Sequence, residues 1–431
     1  MQRRNLKHLP ALALFCALLG LRAKAGSPTY AIRDAQVHTL ASSGTLPRAT
    51  VVIADGKIAA VGSNVKIPAG AQIINGQGLE VYPGMINAWS NIGLTEIGSV
   101  PATNDASEIG DYNPHLLAFT AIHPDSEHIP VARANGITAS LSVPAGGILS
   151  GQAVLLHLDG WTVNEMAILE RAGLVMQFPS LSERTVSGGG LRETRRQTFS
   201  ERKRNYERRV REIGDLLEAA RHYSRARTSN PSTAVDRKLE ALIPVVQEKM
   251  AVFIQADTAR DIKNAVDFAR KEKLKMVLQG GREASRVADL LKKENIPVIL
   301  ESIVALPVRE DDPYDARFTL PRDLARAGVR FALTSPSSSD VRNLPYEAGF
   351  AQAYGLSHEE ALKAVTVNPA EILGVADRMG KIEPGKVADL AVTDGDLLEI
   401  RTQVKILFIA GKNVSLETRH TRLYQKYLNR P

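Results

Sequence analysis

Between residues 137 and 334, apolar runs of strand length alternate with amphipathic helical patterns, and this rhythm leaves the chain few architectures. Residues 137–142, 153–157, 174–178, 251–255, 275–278, 296–300 and 331–334 read as strands. Residues 261–273 place Ile262, Ala265, Val266 and Ala269 on one helical face, and 283–293 also reads as a helix. Repeated strand–helix units predict a parallel sheet with helical crossovers, closed most economically as a barrel. A chain of 431 residues, 44% hydrophobic and 23% charged, is long enough for that core and a smaller satellite.

The two ends have a different grain. Residues 51–53, 57–61 and 71–74 are short apolar runs separated by Asp55-Gly56, Pro68-Ala69-Gly70 and Asn75-Gly76. Asp-Gly between two such runs is a hairpin signal. A helix is predicted over 357–374, with Ser357 and Glu360 as a capping box and Gly374 as its C-terminal cap. After Gly380 the chain returns to strands at 388–392 and 404–410, followed by a Gly411-Lys412-Asn413 turn. Residues 26–82 and 380–431 are therefore expected to build one composite β domain beside a barrel at 83–379.

Residues 1–25 read as a signal peptide. Arg3, Arg4 and Lys7 precede an apolar run over 9–21, and Ala23-Lys24-Ala25 has the small-x-small form of a cleavage site. That run is shorter than the roughly 20 residues a bilayer span needs. The expected product is exported, periplasmic or secreted, with no transmembrane segment after processing. Cys16 is the only cysteine and would leave with the leader, so no disulfide is expected. Five basic residues would leave too, reducing the formal charge from +7 to +2 and removing the global charge argument for a nucleic-acid partner.

Residues 181–248 interrupt the barrel rhythm. Gly188-Gly189-Gly190 precedes a helix with Tyr206, Val210, Ile213, Leu217 and Ala220 along one stripe, which something must cover. Its 192–227 stretch carries 12 basic and 6 acidic side chains. Three readings follow: a solvated face over a packed stripe, a contact for a homo-oligomer, or a lid attracting anionic ligands.

Two stretches carry a family resemblance. Val81-Tyr82-Pro83-Gly84-Met85-Ile86-Asn87-Ala88 follows Asp55-Gly56-Lys57-Ile58. Later, Thr366-Val367-Asn368-Pro369-Ala370-Glu371-Ile372-Leu373-Gly374 precedes Gly380-Lys381-Ile382-Glu383-Pro384-Gly385-Lys386-Val387-Ala388-Asp389-Leu390. In this order they resemble the amidohydrolase superfamily, most closely its imidazolonepropionase-related branch, over about residues 28–415. The resemblance implies a (β/α)8 TIM-like barrel with a small composite β-sandwich domain from both chain ends. It also implies hydrolysis of non-peptide C–N bonds assisted by one or two divalent metals such as zinc.

The resemblance further places a His-x-His pair at the end of strand one, histidines after strands five and six, and an aspartate after strand eight. Here the pair reads Trp89 and Asn91. Gln255, or Asp257 two residues on, stands at strand five, Gly280 at strand six, and Ser335 or Pro336 at strand eight. Indole offers a metal no lone pair, and a neutral amide is a poor transition-metal ligand. No metal cofactor is therefore expected. The eight remaining histidines (His38, His115, His123, His128, His157, His222, His358 and His420) form no His-x-His and no helical i, i+4 pair. A pocket is expected from Trp89, Asn91, Glu96, Gln255, Gln279, Gly280, Arg282, Glu301, Pro336 and Asn343, with Asp257 and Asp340 as candidate catalytic groups. Its expected occupant is a small polar or peptide-like ligand, bound without hydrolysis. The alternative is an active C–N hydrolase with an atypical site, acting on cyclic amides, amino-acid derivatives or short peptides.

Overall fold

The computed structural model describes residues 28–181, 198–307 and 311–430, so the leader and the Gly188-Gly189-Gly190 run lie outside the described residues. Five strands come first: β1 (Tyr30–His38), β2 (Thr45–Ala54), β3 (Lys57–Gly62), β4 (Gln72–Asn75) and β5 (Glu80–Pro83). Eight more form the central sheet: β6 (Met85–Ser90), β7 (Ile137–Ser142), β8 (Leu149–His157), β9 (Ala167–Gln177), β10 (Ala251–Ala256), β11 (Lys275–Gly280), β12 (Val298–Leu300) and β13 (Phe331–Ala332). Three close the chain: β14 (Leu390–Thr393), β15 (Val404–Ile409) and β16 (Lys412–Val414). The helices are α1 (His128–Arg133), α2 (Val163–Met166), α3 (Phe199–Ser229), α4 (Arg237–Val246), α5 (Ala259–Lys271) and α6 (Ala288–Lys293). They continue with α7 (Ala316–Ala327), α8 (Leu344–Ala353), α9 (His358–Val365), α10 (Val367–Ile372) and α11 (Arg419–Leu428).

The central sheet runs in chain order from β6 to β13 and nearly closes into a barrel. Ile86, Leu141, Leu155, Val175, Phe253, Val277 and Ile299 fill its interior, while the alternate residues of the same strands pack outward against the helices. Leu373, Val375 and Met379, just after α10, join the interior cluster. One strand departs from the expected parallel order: β8 is antiparallel to both β7 and β9. Residues 143–148 connect β7 to β8, far fewer than the dozen or so a parallel crossover needs, so the chain must turn back.

Both chain ends share the second sheet, ordered β16-β15-β14-β5-β1-β2-β3, with β4 also pairing β1. The Asp55-Gly56 turn between β2 and β3 has φ of 50° and 75°, the doubly left-handed form a two-residue hairpin favours. Pro83-Gly84 passes the chain from this sheet into the barrel. A Cβ on Gly84 would lie 2.3 Å from Thr138, so only glycine permits that approach.

The predicted 357–374 helix is two helices, α9 and α10, broken at Thr366 (φ −133°, ψ −74°). Pro369 has no N–H and its ring would collide with the carbonyl four residues back, which breaks the helix. Ser357 does cap α9, accepting from the Glu360 N–H. The apolar stripe of α3 is covered within the chain: Ile213, Leu217 and Ala220 join the main core, and Tyr206 meets the Phe178 ring edge-on at 6.2 Å. The stripe therefore requires no second copy of the chain. No helix among the described residues is long and apolar enough to cross a membrane.

An ion pair joins barrel and outer sheet: His157 Nε2 lies 3.1 Å from Asp389 Oδ2, and Asp389 Oδ1 accepts from the Ala410 N–H at 2.8 Å. Burial disfavours the imidazolium, but the Asp389 carboxylate outweighs it and raises the His157 pKa above its ordinary value. A histidine raised on folding contributes stability that is complete below its unfolded pKa and lost as pH rises through the folded one. Thermal denaturation is expected to show a midpoint that falls as pH rises above about 6.5, the ordinary histidine value. His157→Gln should flatten that slope.

Candidate active site at the barrel mouth

Parallel pairing sets Gln177, Gln255 and Gln279 side by side at the ends of β9, β10 and β11. Each stands two residues beyond an interior apolar residue (Val175, Phe253 and Val277), so the alternation of a strand aims all three at the barrel mouth. Beyond them lies a cavity of about 660 Å³ lined by Gln255, Asp257, Gln279, Arg282, Glu301 and Arg317, among others. A space of this size at this face of a barrel suits a small ligand.

Charge in the cavity is tightly paired. Arg282 Nη2 donates to Asp257 Oδ2 at 2.6 Å, and its Nε lies 3.9 Å from Glu301 Oε2. From α7, Arg317 Nη2 donates to the Ser302 carbonyl at 2.7 Å and stands 3.7 Å from the same Glu301 oxygen. Burial, and then the Asp257 carboxylate, push Glu301 above the ordinary carboxylate range, while Arg282 and Arg317 pull it back. Hydrogen bonding to Asp257 raises Arg282, and burial lowers Arg317. Behind them Glu347, 3% exposed on α8, accepts from the Ser302 hydroxyl and from the N–H groups of Ile303 (2.8 Å) and Val304 (3.3 Å). Burial raises its pKa as well. Glu347 thus fixes the turn that carries Glu301.

Gly280 has φ of 94°, and a Cβ there would sit 2.6 Å from Asp257 Oδ1. The Asp257 carboxylate occupies the space that any side chain at 280 would need. Asp257 Oδ1 is itself buried and has no hydrogen-bond partner.

Of the residues expected from sequence, the fold brings Gln255, Asp257, Gln279, Arg282 and Glu301 to one cavity, with Gly280 against its wall. The others lie outside the lining, each with a local reason. Trp89 is 7% exposed and meets the Phe253 ring edge-on at 5.8 Å, inside the barrel's apolar cluster. Asn91 bonds across the seam instead: its N–H donates to the Pro336 carbonyl (3.2 Å), and its Oδ1 accepts from the Ser338 N–H (2.7 Å). Glu96 accepts from the Ser126 hydroxyl (2.6 Å) and the Glu127 N–H (3.2 Å), bracing the entry to α1. Asp340 is exposed, its carbonyl accepts from the Ser335 hydroxyl, and Asn343 leads into α8. Asp340 therefore does not line the cavity that holds Asp257. Gln177 and Arg317 were not anticipated. Strand alternation could have found Gln177, whereas nothing local in sequence brings α7 to this face.

A divalent ion would require imidazole or carboxylate donors converging at the mouth. Among the described residues no group of three or more His, Cys, Asp or Glu is placed to hold one. With Trp89 packed on Phe253 and Asp257 paired to Arg282, the residues present do not fit such an ion.

The sequence profile of the Amidohydrolase family matches residues 276–415. The chain is 22% identical over 383 residues to amidohydrolase tasK of Hapsidospora irregularis, covering 80% of this chain and 37% of that protein. It is 32% identical over 183 residues to the imidazolonepropionase of Sphingopyxis alaskensis, covering 39% of this chain and 44% of the relative. The chain thus spans less than half the length of either relative. A solved amidohydrolase from Thermotoga maritima MSB8 superposes with a TM-score of 0.77 at 27% identity, over 90% of this chain and 99% of that one. The profile over 276–415, the relatives and the matching architecture all support the amidohydrolase superfamily.

Proposed function

We propose that this is an exported, metal-independent member of the superfamily that binds a small polar or peptide-like ligand at the barrel mouth. The observation that carries the reading is the contrast between the two sides of that mouth. On the strand-one side an indole is packed into the apolar interior, where the family resemblance calls for an imidazole pair. On the side of β10 to β12 an open cavity keeps amides, carboxylates and guanidinium groups in place. A site shrinking to a structural remnant has no reason to keep such groups around open space, because buried polar groups are costly without partners. The likeness to an imidazolonepropionase supports small cyclic amides and amino-acid derivatives as the compounds to screen. Export rests on the leader at 1–25.

A second reading has one observation in its favour. Burial pushes the Glu301 carboxyl upward, while Arg282 donates to Asp257 at 2.6 Å, and a carboxyl that holds its proton beside an ion-paired carboxylate suits a general acid and a general base. On that reading the protein still hydrolyses a C–N bond, with Asp257 activating water and Glu301 protonating the leaving nitrogen.

One assay addresses both readings. A panel of small amides and dipeptides is screened for ligand-induced thermal stabilisation, with and without a chelator, while product is monitored. The binding reading expects stabilisation that the chelator leaves unchanged, and no product. Stabilisation lost on chelation would contradict it. Product whose formation Asp257→Ala abolishes in a folded protein would favour the second reading.

A further inference from the structure

We infer that α11 is an interfacial helix that lies on an anionic lipid surface, with its apolar side among the headgroups and its cations against the lipid phosphates. Every residue from Arg419 to Arg430 is exposed, so α11 belongs to neither core. Leu423, Tyr424, Tyr427 and Leu428 are between 37% and 63% exposed. At about 100° per residue they share one side of the helix, spread over about 140° of its circumference. Apolar residues scattered singly over a surface are ordinary, but four on one side of a ten-residue helix make a patch that marks an interaction site. Arg422 ties the helix to the barrel, its Nη2 lying 2.8 Å from Glu127 Oε1. Arg422 stands on the opposite side from the patch, which therefore faces away from Glu127.

The charge around the patch selects its occupant. Residues 418–431 hold Arg419, Arg422, Lys426 and Arg430 and no acid. Of these, Arg422 alone is ion-paired among the described residues, to Glu127 and Glu417. Arg419 and Lys426 lie along one edge of the patch, and Arg430 follows the last turn. Lys426 Nζ stands 5.9 Å from the centre of the Tyr427 ring, so cation and apolar face adjoin. A second copy of the chain fits poorly. Two such patches face to face would bring cations together with no carboxylate between them. Four part-exposed side chains also offer well under the roughly 800 Å² that each partner of a stable protein interface buries. A bilayer surface meets both conditions. Its headgroup layer accepts tyrosine and leucine side chains to a depth of about 5–10 Å, and its anionic phosphates take up the cations. The long stems of Lys and Arg reach from one layer to the other. Ten residues are too few to span the hydrocarbon, so the helix lies flat.

Co-sedimentation with vesicles tests this, using residues 26–431 so that the apolar run over 9–21 cannot itself insert. Vesicles of phosphatidylcholine alone are compared with an equal mixture of phosphatidylcholine and phosphatidylglycerol. Binding to the mixed vesicles is expected to be tighter by roughly tenfold or more, and to weaken by about tenfold between about 0.1 M and about 1 M salt. Tyr424→Ser with Leu428→Ser should weaken it by roughly tenfold, and Lys426→Gln with Arg430→Gln should remove most of the preference for anionic lipid. All four side chains are exposed, so both variants should keep the parent's thermal midpoint, and each pair tests the placement alone. Equal binding to both vesicles overturns the anionic assignment, and no binding to either overturns the membrane assignment. Binding that neither variant weakens overturns the placement on α11. Self-association in analytical ultracentrifugation without lipid, abolished by Tyr424→Ser with Leu428→Ser, would overturn the proposal in favour of a second copy. Soluble polyglutamate bound as tightly as the mixed vesicles would overturn it in favour of an acidic protein.

Discussion

Trp89→Ala is expected to destabilise the chain by about 3–5 kcal/mol, measured as a lowered urea midpoint at unchanged slope. The indole is 7% exposed, sits among the barrel's interior apolar side chains and meets Phe253 edge-on. Truncation removes a large apolar surface and leaves a void whose walls cannot collapse, because the surrounding strands are fixed by their ladders. Trp89→Phe keeps most of that packing and should cost about half as much or less. A small loss in Trp89→Ala would mean that the indole does not pack inside the barrel. Since a typical domain is stable by only about 5–15 kcal/mol, the alanine variant should approach the edge of folding.

Asn87→Ala should be nearly as damaging, for a different reason. The barrel sheet ends at β6 and β13 without a ladder between them, and Asn87 joins the Asn91 bonds in closing the seam. Asn87, fully buried, donates from Nδ2 to the Ser335 carbonyl at 2.9 Å and accepts at Oδ1 from the Ser335 N–H at 3.0 Å. Its amide thereby replaces one rung of backbone pairing. Alanine would strand a buried N–H and a buried carbonyl, each costing about 1–3 kcal/mol, so a loss of about 2–6 kcal/mol is expected. Asn87→Asp keeps the acceptor but sets a carboxylate against the Ser335 carbonyl, and it should be no better tolerated than alanine. Denaturation curves for the two variants test both statements. Asn91→Ala, which strands the Ser338 N–H at a partly buried position, should cost less than either.

How much of this was legible in sequence depended on whether the signal was local. Asp55-Gly56 specifies its hairpin through the left-handed conformations of two adjacent residues, so two letters suffice. Gln255, Asp257, Gln279, Arg282 and Glu301 were found because the end of an apolar run marks the end of a barrel strand, and strand ends converge. The reversal of β8 escaped because burial patterning carries no direction, although the six residues of 143–148 were a sufficient clue. Asn87 escaped because its partner is 248 residues away. Arg317 arrives from α7, whose approach to the mouth is set by packing across the whole barrel. Trp89 shows both sides of this: its place at the end of the first barrel strand was readable, but its burial against Phe253 was not.

The claim at the centre of this account is that the barrel works without a metal ion. The direct test is elemental analysis of the purified chain after equilibration with zinc and extensive dialysis. The account predicts far less than one bound equivalent per chain, and the same value for Asp257→Ala. One or two retained equivalents, lost together with ligand binding when a chelator is added, would contradict it.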